Sequence, residues 1–479
     1  MKKALFALLL VSLSKASTTG FVTGLTSDAI NDFKDSALPF ILSQAEDTEI
    51  PSQTYHVGHG RFKVLLMASN IKVSALELDV EKTKVEFSEP DRISLTIAGI
   101  SGESSLDWSY DSALAGDQGS ASIDLLETTA AMDVKLQEDQ GKIVVEIENM
   151  VLSIRDLKIQ ILNNPSADLA NWVLSVFNDK LKDLIEESVS GNLKETFQRE
   201  LNKIIGTYPS IINIGETPLA VNYSLSTPPK VTDQYLQINS LGLFLNKDKP
   251  ELNPPIPAPK ELPDFNPDSK DIQSFVSDYT INSAFYSAFT AGLLQANITS
   301  ESVPSISPIQ LTTSSLDNII PGLVKKYGKN KKVDLACEAQ KSPVISLQAD
   351  ESHGLIKGEI DTACGVIVRD EGQAVVLDMV LDFNGTAYLK DSFLKGSLKG
   401  MEITQLEARD NVLDKPVDTQ GMMDLFNMAI ELVLPSLDTL IFGKGIPLPK
   451  IDYVDLTDSE VVIKDGYVYV QATPHYNFN

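Results

Sequence analysis

Residues 250–267 read Pro-Glu-Leu-Asn-Pro-Pro-Ile-Pro-Ala-Pro-Lys-Glu-Leu-Pro-Asp-Phe-Asn-Pro and divide the chain just past its middle. Their prolines have a fixed φ and no backbone N–H, so the segment can join neither a helix nor a central strand. It is expected to form a stiff, extended spacer between two long globular runs. Leu252, Ile256, Leu262 and Phe265 make it less polar than a flexible linker. We therefore expect it to lie against the folded parts.

The beginning of the chain has the pattern of a secretory signal peptide. Lys2 and Lys3 precede an apolar run from Ala4 to Leu13, and Ser14-Lys-Ala16 offers small residues for cleavage. The run is too short to span a bilayer. A buried N-terminal strand or helix is the alternative, which the two lysines directly before the run disfavour. We expect cleavage after residue 16 and a soluble protein that is secreted or held in the lumen of the secretory pathway.

Composition excludes some classes of partner. The formal net charge is −26 over 479 residues, and loss of the signal with its three lysines would make it −29. Such a surface repels nucleic acid and anionic lipid headgroups, so no nucleic-acid partner is expected. With 43% hydrophobic residues there is ample material for a core, and the length suggests two or three domains, or two large ones. Asn222, Asn297 and Asn384 begin Asn-X-Ser/Thr sequons and are candidate glycosylation sites.

The first half changes its hydrophobic period several times. Residues 27–45 have helical spacing, and Pro39 should kink or end that helix. From Gln53 to about Ile161 apolar and polar residues alternate between Gly and Asp clusters, which predicts a meander of long antiparallel strands. The other predicted elements of this half are a long helix from Leu169 to Ile204 and two strands near 219–226 and 235–245.

The second half repeats this order. Its predicted elements are an amphipathic helix over 269–294, a helical piece over 314–327, strands over 333–339, 344–349, 355–368, 374–384 and 394–405, a helix over 420–441 broken near Pro435, and strands near 451–456 and 460–473. A repeat of this length marks paired domains, not a solenoid. We interpret the chain as a duplication, with a signal peptide (1–16), a first module (17–246), a linker (247–268) and a second module (269–479).

Very little catalytic chemistry is visible. His56 and His59 offer two metal ligands, but zinc sites need three or four and no cluster completes this one. A turn between a loop and a strand is the favoured interpretation. The chain has no Gly-x-Ser-x-Gly elbow, no phosphate-binding loop and no dinucleotide fingerprint. We expect no enzyme, no metal site and no cofactor.

The two cysteines, Cys337 and Cys364, suggest one disulfide in a secreted chain. Strand counting argues against it. If 333–339, 344–349 and 355–368 form a simple meander, the cysteines lie on its first and third strands, roughly 10 Å apart across the sheet and about 17 Å apart along it. A disulfide needs Cα atoms within about 7 Å. We therefore expect two buried free thiols.

Apolar residues are abundant on the predicted helices of both halves. Packing of each helix on its sheet explains most of these residues. An elongated apolar cavity between helix and curved sheet would give the same pattern. Periodicity does not separate a filled core from a lined tube, so both interpretations stay open.

Several short motifs occur in a fixed order. They are Gly20-Phe-Val-Thr before a helix, Ile50-Pro51, His56-Val-Gly-His-Gly60, Val221-Asn-Tyr-Ser-Leu with Pro228-Pro229, the proline spacer, Ser277-Asp-Tyr-Thr-Ile-Asn282, Ile320-Pro-Gly-Leu-Val-Lys-Lys-Tyr327, Ser342-Pro-Val-Ile-Ser-Leu-Gln348 and Gly445-Ile-Pro-Leu-Pro449. By the order and spacing of these motifs, the chain resembles the lipid-binding proteins related to bactericidal/permeability-increasing protein, lipopolysaccharide-binding protein and the plasma lipid transfer proteins. The resemblance covers nearly all of the mature chain.

The resemblance implies a fold and a type of ligand. The fold would be α+β, an elongated boomerang of two similar antiparallel barrel modules, each with amphipathic helices, joined by a central β-sheet. An apolar pocket in each module would open near the central sheet and hold the acyl chains of a phospholipid.

Two departures from the family pattern limit which family properties can be expected of this chain. Members usually have a disulfide in the first module, where this chain has no cysteine. Members that bind lipopolysaccharide have a basic tip on that module. The matching loop here, Ser104–Asp111 followed by Asp117, is acidic with two aromatic residues. This departure disfavours endotoxin binding and bacterial killing.

We therefore expect a secreted carrier that binds and transfers phospholipid or another neutral or zwitterionic lipid, and that docks transiently on a membrane or lipid-particle surface. Each buried CH₂ is worth about 0.8 kcal/mol, so two acyl chains of about sixteen carbons gain roughly 25 kcal/mol relative to water. A bilayer offers the acyl chains nearly the same gain in free energy. The alternatives are an immune-type binder of bacterial lipopolysaccharide or glycolipid, and a structural or interaction module without lipid.

The predicted lipid-contacting residues are large and apolar and lie on helices that must face the sheets. They are Ile30, Phe33, Leu38 and Ile41 of the opening helix, Trp172, Val176 and Phe177 of the long helix, Phe275, Tyr279 and Phe285 of the first helix of the second module, and Met422, Leu425 and Phe426 of its second helix.

Overall fold

The computed structural model describes most of the chain, namely residues 18–43, 48–50, 52–57, 63–88, 90–113, 116–162, 167–266, 269–303, 310–350, 353–428, 430 and 445–478. The predicted signal peptide, residues 1–16, lies outside these ranges. So do His59 and residues 431–444, which include the second part of the helix predicted over 420–441.

Antiparallel strands dominate the fold, with few helices. The strands are β1 (Phe21–Thr26), β2 (Thr48–Ile50), β3 (Gln53–Val57), β4 (Val64–Glu77), β5 (Lys84–Ser88), β6 (Arg92–Ser112), β7 (Gly116–Asp139), β8 (Lys142–Ser153), β9 (Asp156–Ile161), β10 (Ile211–Asn213), β11 (Leu219–Asn222), β12 (Lys230–Val231), β13 (Tyr235–Ser240), β14 (Leu243–Asn246), β15 (Ile272–Ser277), β16 (Gln295–Ile298), β17 (Val333–Ala339), β18 (Val344–Gln348), β19 (Leu355–Val368), β20 (Gly372–Lys390), β21 (Phe393–Arg409), β22 (Ile446–Pro447), β23 (Val454–Lys464) and β24 (Tyr467–Tyr476). The helices are α1 (Ser27–Ser43), α2 (Ala167–Ile205), α3 (Asp278–Thr290), α4 (Thr313–Leu316), α5 (Leu323–Tyr327) and α6 (419–428).

A six-stranded central sheet joins the two halves of the chain. Its order is β12-β13-β1-β15-β24-β23, so each half supplies three strands. β1 and β15 meet in the middle, with Phe21 opposite Val276. The proline-rich segment covers part of this sheet, because Phe265 is buried against Val22 and Phe275. Leu252 and Ile256 pack on a neighbouring cluster of leucines. The expectation that the spacer lies against the folded parts is confirmed.

The first half forms a sheet of eight strands around a core of helix α1 and the C-terminal part of α2. Its main order is β2-β4-β6-β7-β8, with β3, β5 and β9 pairing at its edges. The predicted meander and the long helix are confirmed. Residues 104–111 are part of the long strand β6 and not a loop. Trp108 and Tyr110 alternate with Asp107 and Asp111, and their rings are buried in the core.

The second half forms a sheet of seven strands in the order β16-β17-β19-β20-β21-β22, with β18 also paired to β19. The helix predicted over 269–294 is partly wrong, since Ile272–Ser277 is a strand and the helix begins at Asp278. This strand is buried on both faces, so its apolar and polar residues do not alternate. Ser277 separates the two elements because its Oγ accepts a hydrogen bond from the Thr280 amide at 3.4 Å.

The end of the chain is a hairpin, β23–β24, with its turn at Asp465–Gly466. The strand predicted near 460–473 therefore contains a turn. Gly466 has φ +89, a left-handed conformation that glycine adopts without steric cost.

Cys337 and Cys364 form a disulfide, with their Cα atoms 4.0 Å apart. The prediction of two free thiols is wrong because the three strands are not a simple meander. Strand β17 pairs with residues 362–368 of the long strand β19, and β18 pairs with residues 355–359 of the same strand. Both lie along one edge of β19. This arrangement places Cys337 directly opposite Cys364.

The three sequons lie in different environments. Asn297 is exposed on the short strand β16, and Asn384 is half-buried on β20. Asn222 is completely buried between β10 and β14, and its Oδ1 accepts a hydrogen bond from the Ser224 amide at 2.8 Å. A glycan has no room there, so the candidate site at Asn222 is incompatible with this fold.

The disulfide should stabilise the second half. Its cysteines are 27 residues apart, and closing a loop of that length in the unfolded chain is worth about 3–4 kcal/mol in the chain-entropy model. We expect the double variant Cys337→Ala/Cys364→Ala to unfold at a lower urea concentration than the wild type. Peptide mapping without reduction should show the Cys337–Cys364 link. Two free thiols in the folded protein would contradict the β17–β19 register.

Glycan occupancy should follow side-chain exposure. After expression in a eukaryotic secretory host, we expect a glycan on Asn297 and none on Asn222. Glycopeptide mass spectrometry of the folded, monodisperse fraction measures both sites in one sample. A glycan on Asn222 in that fraction would show that strand β11 is not buried as described.

Candidate binding cavity

An apolar cavity lies beside α1 and the end of α2, on the inner face of the first-half sheet. The helices contribute Ile30, Phe33, Ala37, Leu38 and Ile41 of α1 and Phe197, Leu201 and Ile205 near the end of α2. The sheet contributes aliphatic side chains of neighbouring strands, including Val85, Ile93, Leu95, Val134, Leu136, Ile143 and Val145.

Local sequence explains the helical wall. In α1, Ile30, Phe33, Ala37 and Ile41 follow one another at intervals of three or four residues, so they occupy one face of the helix. The acidic residue Asp28 precedes this series, and Asp32 and Asp35 lie within it. Pro39 lies within the helix on its exposed side, and the helix runs on to Ser43.

The second half closes the cavity. Ile272 and Ser274 of β15 line it beside Thr23 and Leu25 of β1. Further wall residues of the second half are Leu448, Pro449, Lys450, Ile451, Val454, Leu456, Val470, Ala472 and Tyr476. The cavity therefore lies at the junction of the two halves and is not enclosed by the first module alone.

The polar atoms in the wall already have partners in the protein. The hydroxyls of Thr23 and Ser274 lie 3.1 Å apart and hydrogen-bond each other. Tyr476 Oη donates to the Ala29 carbonyl at 2.7 Å, and Tyr208 Oη lies 3.3 Å from Ser240 Oγ. These wall groups need no hydrogen bond from a ligand.

The charged groups of the wall are two lysines. Lys34 is buried, its Nζ donates to the Thr83 carbonyl at 3.2 Å, and it lies 2.7 Å from the Asp35 carboxylate. Lys450 Nζ lies 3.2 Å from the Asp455 carboxylate. Both cations are paired with acids of the protein.

Both tyrosines in the wall stay neutral at physiological pH. Burial raises the pKa of Tyr208 to about 12. Burial, and then the nearby charges of Asp32 and Asp271, raise the pKa of Tyr476 well above its ordinary value. The cavity wall therefore carries no phenolate charge.

The structure brings four of the predicted first-module residues together: Ile30, Phe33, Leu38 and Ile41 all line the cavity. Trp172, Val176 and Phe177 belong to α2, but their side chains lie outside the described part of the structure.

The predicted residues of the second module are dispersed. Phe275, on a strand and not a helix, stacks with Phe265 of the linker at 5.1 Å, and Tyr279 packs beside Leu252 and Ile256. Phe285 is half-buried against a cluster of buried side chains that includes Ile345, Leu347 and Phe383. Met422 is fully buried in a separate cluster, against which Leu425 and Phe426 are half-buried.

Some wall residues were absent from the predicted set. Phe197, Leu201 and Ile205 keep the helical spacing of α2, so their face could have been found from periodicity. Leu448, Val470 and Tyr476 lie more than 400 residues from α1 along the chain. No local signal in the sequence connects them with that helix.

The described part of the chain shows neither a metal-binding cluster nor a membrane-spanning helix. There, no group of three or more His, Cys, Asp or Glu side chains is arranged to hold a metal ion. None of the helices in those ranges combines the length and apolar composition needed to cross a bilayer.

Comparison with known proteins places the chain in a family. Residues 33–204 match the N-terminal domain of the LBP / BPI / CETP family, and residues 214–476 match its C-terminal domain. Human lipopolysaccharide-binding protein is 22% identical over 485 residues, covering 98% of this chain and 97% of that protein. Bactericidal permeability-increasing protein of Sebastes schlegelii is 21% identical over 361 residues, covering 74% of this chain and 73% of that protein.

The fold also matches a solved structure. A crystal structure of lipopolysaccharide-binding protein aligns over 96% of this chain and 99% of that one, with a TM-score of 0.61 and 19% identity. The predicted α+β boomerang of two antiparallel modules and a central sheet is confirmed. The two family models together cover most of the sequence, and the chain belongs to the LBP / BPI / CETP family.

Proposed function

We propose that this protein is a secreted lipid carrier whose cavity holds the acyl chains of a phospholipid or of another neutral or zwitterionic lipid. The observation that carries the proposal is the cavity wall, which is almost entirely apolar and whose polar atoms are already hydrogen-bonded within the protein. Binding and transfer, without catalysis, are the activities that such a wall supports.

The wall discriminates between kinds of occupant. A buried water needs two to four polar partners, and this wall offers few. A hydrocarbon chain needs none, and each CH₂ removed from water contributes about 0.8 kcal/mol. A bilayer provides a similar environment, so moving a lipid between membrane and cavity is close to neutral in free energy. This balance supports transfer between membranes or lipid particles, with transient docking on their surfaces.

A binder of bacterial lipopolysaccharide is the second candidate. It is supported by relatives that are named lipopolysaccharide-binding protein. The net charge of −26 disfavours it, because a polyanionic headgroup is repelled by an acidic surface. Exposed Asp111 and Asp117 at the β6–β7 end of the first half add to this repulsion.

We also propose apolar contacts for lipid in the second half. Phe285, Leu425 and Phe426 are half-buried on helices that pack over its sheet. Leu425 and Phe426 are the proposed wall of one apolar site, and Phe285, which packs against a different cluster, is a separate proposed lipid contact. Phe275 and Tyr279 contact the linker and are not part of this proposal.

Lipid should co-purify with the protein. We expect mass spectrometry of an organic extract, from protein secreted by a eukaryotic host, to find phospholipid in stoichiometric amounts. Protein unfolded before gel filtration gives the background of loosely bound lipid. Empty extracts, together with no binding of fluorescent phospholipid, would contradict the carrier function. Lipopolysaccharide displacing phospholipid in a salt-dependent manner would favour the second candidate.

Filling the cavity should block lipid. Ala37 is buried with its side chain at the cavity wall, so Ala37→Phe places a ring inside the cavity. We expect a folded protein whose lipid occupancy falls several-fold. The matched control is Ala131→Phe, which adds the same ring on the exposed face of β7. Normal lipid occupancy in folded Ala37→Phe would show that this cavity is not the lipid site.

A further inference from the structure

We infer that lipid chains enter and leave the cavity sideways, through the seam between helix α2 and the outer edge of strand β8, and that Gln198 and Asn202 hold this seam closed. The α2–β8 seam consists of residues 186–202 of the helix against residues 145–154. The inference rests on the proposed function and adds to it the route by which a lipid reaches the cavity.

Polar side chains of α2 bind the edge of β8 in the place of a neighbouring strand. Strand β8 ends the main order of its sheet, so among the described strands its outer edge has no partner. The binding side chains recur at every fourth position of the helix: Glu186, Ser190, Lys194, Gln198 and Asn202. Their partners run backwards along the chain, namely the Ile154 amide, the Met150 and Glu148 carbonyls, the Ile147 amide, and both the amide and the carbonyl of Val145.

The geometry of a helix and a strand explains why this spacing works. Four residues of α-helix rise about 6 Å and two residues of strand rise about 6.8 Å, so one stripe of the helix stays in step with the strand edge. A second stripe, one residue earlier in each turn, is apolar and packs in the core: Ile185, Val189, Leu193, Phe197 and Leu201. The helix therefore packs on the sheet with one stripe and closes the edge of the sheet with the next.

The cavity lies directly behind the last two contacts of the seam. Wall residues occur on both sides of it, namely Phe197 and Leu201 on α2 and Ile143 and Val145 on β8. Gln198 Oε1 accepts from the Ile147 amide at 3.0 Å. Asn202 Oδ1 accepts from the Val145 amide at 2.8 Å, and its Nδ2 donates to the Val145 carbonyl at 2.7 Å. Separation of α2 from β8 at these two side chains would open the cavity along its side.

The seam can open without unfolding either element. Gln198 and Asn202 are half-buried, so water can take over their partners when the helix moves away. The helix keeps its own backbone hydrogen bonds, and β8 stays paired with β7. Gly191 lies within α2, and no side chain or strand comes within 4 Å of the position that a Cβ would occupy there. The helix can therefore bend at Gly191 and release the segment that carries Gln198 and Asn202.

The same two-bond clamp occurs twice in the second half. Asn282 binds the amide and carbonyl of Ile345, and Asn427 binds those of Ile403. Ile345 and Ile403 are buried in clusters of the second half and do not line the cavity. The clamp is thus a general means of closing a sheet edge in this fold. The cavity behind Asn202 makes this clamp a gate.

The test measures how fast bound fluorescent phosphatidylcholine leaves the protein for an excess of unlabelled phosphatidylcholine vesicles. Asn202→Ala removes both bonds to Val145 and should raise this rate roughly tenfold. Lipid occupancy at equilibrium should not change, because the closed protein loses the clamp with and without lipid. The matched control is Asn427→Ala, which removes the same pair of bonds away from the cavity and should leave the rate unchanged.

Hydrogen exchange at the Ile147 amide reports the opening itself, because its acceptor Gln198 is intact in Asn202→Ala. We expect its exchange to rise by the same factor as the lipid rate. If Asn202→Ala does not fold, Asn202→Asp keeps the acceptor for the Val145 amide, loses only the donor and should show a smaller increase in both rates.

A wild-type lipid rate in folded Asn202→Ala would overturn the gate while leaving the carrier function standing. So would a faster lipid rate without faster exchange at Ile147, or equal acceleration by Asn427→Ala. Failure of the wild-type protein to bind phosphatidylcholine would overturn the carrier function itself.

Discussion

The pairing of β1 with β15 is the constraint on which the rest of the structure depends. Each strand runs directly into a helix, α1 at Ser27 and α3 at Asp278, so their register also positions both helices. Side chains alternate across this pair. Thr23 and Ser274 face the cavity, whereas Val22 and Phe275 face the linker. One sheet therefore closes the cavity on one face and anchors the proline-rich segment on the other.

Because of this arrangement, both halves of the chain are needed to form the cavity. Its walls come from α1, the end of α2, the sheet of the first half and the final hairpin of the second. An empty apolar cavity costs stability, because the lining side chains lose contacts on one side. An occupant that restores those contacts stabilises the folded state by mass action. The stabilising effect that an apolar occupant would have follows from the fold as well as from the composition of the wall.

The element pattern was predictable wherever the hydrophobic period was clear. The long strands of the first half alternate over most of their length, so a meander was predicted over residues 53–161. Helix α2 keeps a helical period and was predicted with nearly correct bounds. Prediction failed at Ile272–Ser277, because a strand buried on both faces has no alternation to distinguish it from a helix. It also failed at residues 104–111. Family analogy placed a loop there, although Leu106, Trp108 and Tyr110 alternate as in a strand.

By itself the sequence determined the two-part organisation, the helical wall of Ile30, Phe33, Leu38 and Ile41, and the acidic surface, because these depend on local spacing and on composition. Only the tertiary structure decided what depends on register between distant strands. The Cys337–Cys364 disulfide exists because β17 and β18 share one edge of β19. Counting residues along the chain does not reveal which strands pair. Asn222 is buried because β11 lies between β10 and β14, and Tyr476 and Lys450 reach the cavity because the folded chain places them beside a helix more than 400 positions away.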